Sequence, residues 1–169
     1  MKGKPYYFTN HDLKRFILPV IIEQFLALLV GMSDSIMVAT VGEHAVSGVS
    51  LVDNIFILLI YLFSALATGG AVIMGQYLGQ SNGEKSNQAV SQLILFTALF
   101  AVTITAGLYL AKDLILNHVF GDIEANVMEA ARTYLLIVSA SIPFLALYNA
   151  GAAVFRTMGN AKVPMYLSM

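Results

Sequence analysis

Residues 49–77 read VSLVDNIFILLIYLFSALATGGAVIMGQY, a run whose one charged side chain is Asp53. A helix rises 1.5 Å per residue, so about 20 mostly apolar residues cross the hydrocarbon core of a bilayer. The run exceeds that length and is read as a membrane-spanning helix. Outward from it, three more apolar runs of spanning length lie between polar breaks, which gives spans at 16–41, 49–77, 90–111 and 134–155. The breaks are Gly42-Glu43-His44, GQSNGEKS at 79–86, the segment 112–132, and 156–164; each of them contains Gly, where a chain can turn. After Pro164 the sequence is apolar again to Met169, so a fifth span is expected to begin at 164 and to be truncated. The predicted fold class is an all-α membrane protein.

Composition agrees. Of 169 residues, 58% are hydrophobic and 11% charged, whereas soluble domains carry about 25% charged residues. A net charge of −1, with nine Lys and Arg dispersed along the chain, offers no basic stripe for nucleic acid. The absence of Cys excludes disulfides, thiolate nucleophiles and Cys-based metal sites. The first ten residues are polar and basic, and the apolar run after them lacks a short core with a small-residue cleavage site, so it reads as a retained span. Thr9 and Asp12 resemble a helix-capping pair that would start the first helix outside the bilayer.

The distribution of basic residues predicts orientation. With the N-terminus cytoplasmic, Lys2, Lys4, Lys14, Arg15, Lys85, Arg156 and Lys162 fall on that side, against Lys112 and Arg132 on the other, as the positive-inside rule requires.

Ionisable groups at bilayer depth cost about 2.5 to 3.5 kcal/mol each and ask for a reason. The first span contains Glu23 and Asp34; they differ by roughly 20° around a helix and share a face that should look into a bundle or cavity. Gln24 and Ser33 flank this face, and Pro19, one turn before Glu23, would free a backbone carbonyl and kink the helix. A desolvated Asp34 could bind a proton or a metal cation such as Na+, or pair structurally with a polar neighbour. Glu23 is open to the same two readings. Asp53 lies nearer the membrane end, where water reaches it. In the second span Asn54, Tyr61, Thr68 and Gly75 recur every seven residues, a polar and small stripe that either lines a cavity or packs on a neighbour. Gly75 and Gly79 have the small-xxx-small spacing that lets helices approach. Asn149 in the fourth span, beside Pro143 and Tyr148, needs partners from other helices or a ligand. His11, His44 and His118 lie outside the spans, and no Ser-His-Asp set, HExxH or phosphate-cradling loop is present in the sequence.

Three segments carry a resemblance to a known family: LPVIIEQFLALLVGMSDSIMV at 18–38, GGAVIMGQYLGQSNGEKSNQAV at 69–90 and ARTYLLIVSASIPFLALYNAGAAVFRTMGNAKVPM at 131–165. In order and spacing they resemble the N-terminal part of a multidrug and toxic compound extrusion (MATE) transporter, over nearly the whole chain. The resemblance implies part of the N-terminal six-helix lobe of a twelve-helix antiporter in the inner (cytoplasmic) membrane, exporting cationic amphipathic compounds against a proton or sodium gradient. It implies Asp34 as the coupling carboxylate joined by Asn149, Pro19 as the bending point of the first helix, and Glu23, Gln24, Asn54 and Tyr61 lining the substrate cavity. It implies no cofactor beyond H+ or Na+, and as partners the lipid bilayer, small cationic substrates and C-terminal helices missing from this sequence.

Three other readings stay open. A lipid-linked precursor flippase of the same superfamily would favour mid-depth Lys or Arg, which these spans lack. A membrane enzyme would need a nucleophile or metal set near the interface. A truncated product could be a non-transporting membrane fragment.

Overall fold

The computed structural model describes residues 10–119 and 124–168, with side chains described for 13–116 and 124–168. These form α1 (Asn10–Ala39), α2 (Glu43–Gly79), α3 (Gly83–Val119), α4 (Ala125–Ser139), α5 (Ile142–Thr157) and α6 (Lys162–Leu167). Three helices are long and apolar enough to cross a membrane, within Leu13–Ala39, Glu43–Gly79 and Gly83–Leu116, and α4 with α5 makes a fourth, bent crossing. The proposed Thr9 capping residue lies outside the described residues.

The helices outrun the apolar segments that announced them. At 37 residues each, α2 and α3 are about 55 Å long, well beyond the roughly 30 Å hydrocarbon core. Most of the expected polar break at 112–132 is therefore helical, belonging to the end of α3 and the start of α4. Polar residues mark where a helix leaves lipid; they do not end it, because its backbone bonds stay satisfied internally. Arg132 reaches Asp113 at 3.2 Å and His44 lies 3.5 Å from Glu124, tying the helix ends together on exposed surface, where such pairs contribute at most about 1 kcal/mol.

The expected span at 134–155 is not one straight helix: it bends by 46° between α4 and α5. The cause is Pro143 in the first turn of α5: it has no N–H to give the Ser139 carbonyl four residues back. Another carbonyl near the break, that of Leu136, accepts a hydrogen bond from the Tyr109 hydroxyl of α3 at 2.8 Å. Buried backbone at membrane depth requires such substitutes.

Two connections are built by local backbone chemistry. After α5, Gly159 takes a left-handed φ of +77°, and the Asn160 N–H bonds back to the Phe155 carbonyl at 2.9 Å, closing the helix end. After α2 the same turn is made by Ser81 at φ 57° with Asn82 N–H on the Tyr77 carbonyl. Asn82 then caps α3, its side-chain oxygen accepting from the Lys85 N–H at 3.1 Å.

The core lies between α2, α3, α4 and α5. Val52, Phe56, Leu59 and Phe63 form its α2 stripe, facing Ala101, Leu116, Ala131, Leu135, Ile142 and Ala146. Lipid tails are as apolar as these side chains, so close packing rather than water exclusion holds them. Gly48 shows it most sharply: a Cβ there would stand 2.8 Å from the Ala131 nitrogen and 2.9 Å from the Val127 oxygen, so α2 and α4 touch backbone to backbone. Gly75 does approach α5, its Cβ position 3.1 Å from the Thr157 methyl, whereas Gly79 has open space on all sides. Helix α1 stands at the side, packed on α2 and α6.

Candidate functional site

Helix α1 runs unbroken through Pro19, and its polar residues meet two different environments. At the level of Glu23 it is closed in. The Glu23 side chain is 3% exposed, its Oε1 accepting from the Tyr148 hydroxyl at 2.7 Å and from Arg156 Nη2 at 2.5 Å. Both donors are on α5, Arg156 in its last turn. Pro19, one turn below Glu23, is buried as well, while Gln24 beside it is exposed. Glu23, expected to line a cavity, thus sits in an ion pair at a helix junction. The sequence offered a signal for this in Arg156, the one basic residue of the fourth span's inner end, but nothing in spacing alone could match it to Glu23, 133 residues away.

Toward the other end of α1 the structure opens. Asp34 is exposed. On α2, half-buried Asp53 accepts a hydrogen bond from the Tyr134 hydroxyl of α4 at 2.9 Å. Helices α2 and α4 therefore bring a carboxylate and a phenol into contact, and Tyr134 also lines an open groove of about 430 Å³ with Val49, Glu129, Thr133 and, from α1, Val38, which stands one turn beyond Asp34. Tyr134 was missed in the sequence because a tyrosine on an apolar span reads as packing; Asp53 was ranked low for its nearness to the membrane end.

The remaining expected site residues are spread. Asn149 is half-buried and spends its amide on the Leu145 carbonyl of its own helix at 3.0 Å, and no hydrogen bond joins it to Asp34 among the described residues. Asn54 likewise bonds to the Ser50 carbonyl at 2.8 Å, and Tyr61 is 70% exposed. The Asn54–Tyr61–Thr68 stripe lies roughly 160–180° around α2 from the core stripe, on the face turned away from α3 and α4. Thr68 and Gly75 continue it into a groove against α5 that also holds Arg156 and Thr157. Among the described residues no three His, Asp or Glu side chains gather as a metal site.

Against this geometry stand the comparisons with known proteins. The MatE family model matches residues 19–169, from Pro19 in the first span onward. The chain belongs to the MatE family. Among its relatives, the probable multidrug resistance protein YoeA of Bacillus subtilis is 29% identical over 169 residues, covering 98% of this chain and 35% of that protein. The probable multidrug resistance protein NorM of Thermotoga maritima is 24% identical, covering 93% of this chain and 33% of the other. The chain thus spans about a third of the length of the curated relatives it matches. A MOP superfamily transporter from Pyrococcus furiosus superposes with a TM-score of 0.85 at 21% identity, covering 93% of this chain and 34% of that one. A MATE protein solved in complex with MaL6 superposes at 0.87, also with 21% identity, covering 93% and 34%. Those likenesses show the fold: an all-α, multi-pass membrane bundle.

Proposed function

We propose that this MatE-family chain is the part of a proton- or sodium-coupled antiporter that holds its ion-coupling site, and that the complete protein exports cationic amphipathic compounds. The observation that carries the reading is the Asp53–Tyr134 hydrogen bond between two helices of a membrane bundle, beside a groove that α1 also lines through Val38, one turn beyond Asp34. Asp34 is the coupling carboxylate, since it is exposed to arriving ions and is not tied up by a hydrogen bond among those described. Asp53 is positioned by Tyr134. A proton or Na+ taken up at Asp34 changes the charge that α1 presents beside α2 and α4, and so favours a second placement of α1. A ligand moves a conformational equilibrium only by its differential affinity for the two states, and a change of charge beside a fixed carboxylate supplies one. Asn149, Asn54 and Tyr61 then face the substrate pathway between this bundle and the rest of the transporter.

In this reading the N-terminus is cytoplasmic: Lys14, Arg15, Lys85, Arg156 and Lys162 gather at one end of the bundle, against Lys112 and Arg132 at the other. The test is ethidium efflux from cells expressing a full-length protein that carries this chain, under an imposed proton or sodium gradient. Asp34→Asn should abolish gradient-driven efflux while membrane expression persists. Unchanged efflux would refute the assignment.

A further inference from the structure

If Asp34 works by moving α1, the ion-coupling reading on which this inference rests, the structure limits which part of α1 can move. Pro19 and Glu23 are buried, whereas every residue from 27 to 37 is exposed. Glu23 is bonded to Tyr148 and Arg156 through one oxygen. These partners are themselves fixed. Arg156 belongs to the last turn of α5, which is closed by the Gly159 turn, and Thr157 beside it meets α2 at Gly75. Helix α6, whose Pro164 is fully buried, packs on α1 from the same end.

A bend at Pro19 that swung the rest of α1 would carry Glu23, one turn further on, away from Arg156. The Glu23 carboxylate would then be left buried without its partner, the costly way to break such a pair, while the partly exposed Arg156 would lose its counter-charge. We propose that Glu23, Arg156 and Tyr148 form a pin that holds α1 to α5 in every state of the cycle, so that the moving lever is the segment 24–39 carrying Asp34, and the hinge lies above Glu23. Pro19 then shapes the seat of the pin. The pin turns a local change of charge at Asp34 into motion of the segment next to the ion site, without opening the opposite end of the bundle.

Spin-label distances in the full-length protein test this. One pair, Ile36→Cys with Leu110→Cys, reports the lever; the other, Ile17→Cys with Lys85→Cys, reports the segment below the pin. All four positions are exposed. Across low and high pH, and with and without sodium, the upper distance should shift and the lower should not. Adding Glu23→Gln should make the lower distribution broaden and respond to pH or sodium; Tyr148→Phe, which removes one bond and keeps the charges, should do so more weakly. A lower distance that shifts as far as the upper one in the otherwise unaltered protein would show that the pin opens, while the α1 switch stood. A lower distribution indifferent to both Glu23→Gln and Tyr148→Phe would overturn the pin as well. If neither distance shifts under any condition, the α1 switch itself fails, and the pin with it.

Discussion

Replacing Gly48 by Ala places one methyl group where α2 and α4 are in backbone contact. Its Cβ would stand 2.8 Å from the Ala131 nitrogen, 2.9 Å from the Val127 oxygen and 3.0 Å from the Ala130 Cβ, against ordinary contact from 3.4 Å. The two main-chain atoms cannot rotate away, so the helices must part locally by about half an ångström. Overpacking of this kind costs about 1–3 kcal/mol, partly offset by the better helix propensity of Ala, up to about 1 kcal/mol. The damage reaches the site: Asp53, little more than one turn along α2, holds Tyr134 at 2.9 Å, and a gap wider by half an ångström leaves a contact near 3.4 Å, at the edge of useful hydrogen bonding. Gly48→Ala in the full-length protein should lower the melting temperature in detergent and weaken ion-coupled efflux beyond its loss of folded protein. Gly83→Ala, at a position with open space around its Cβ, is the control and should do neither. If Gly48→Ala melts and transports like the control, the close packing of α2 on α4 is wrong.

Three smaller effects arise at the helix ends and the break. Asn82→Ala removes the cap of α3 and should cost about 1 kcal/mol, read as a lower melting temperature. Ser81→Gly relieves a non-glycine left-handed residue at φ 57° and should raise the melting temperature, through a gain in stability of about 1 kcal/mol. Tyr109→Phe frees the Leu136 carbonyl beside the bend; at about 0.6 kcal/mol, rising to about 1.7 for the best membrane hydrogen bonds, it should change stability little yet speed amide exchange selectively around 138–142.

Much of the architecture was legible because the bilayer imposes its own ruler. Runs such as 49–77 announce a spanning helix by length and apolarity alone, and the polar turns at 42–44 and 79–86 sit where the helices reverse. The helix ends were not legible from the apolar runs, since α3 continues through Lys112 and Asp113 into residues that looked like a loop. The bend between α4 and α5 was present in the sequence as Pro143, but an uninterrupted apolar run hid it. Glycines were read half correctly: Gly75 packs, Gly79 does not, and the tightest contact, at Gly48, lay just outside the predicted span. At the site, one-dimensional spacing showed that Glu23 and Asp34 could share a face. It could not show that one would be closed by Arg156 and Tyr148 while the other stayed open near Asp53 and Tyr134, because those partners come from helices whose register against α1 is set only by packing.

The most direct test of the ion-coupling site is the count of protons and sodium ions released when ethidium binds to the purified full-length protein at fixed pH. The protein should release one of the two ions on binding, Asp34→Asn should release neither, and Tyr134→Phe should release the same ion with weakened ion affinity. Undiminished release from Asp34→Asn would contradict the account, since the exchanged ion would then reside elsewhere in the transporter.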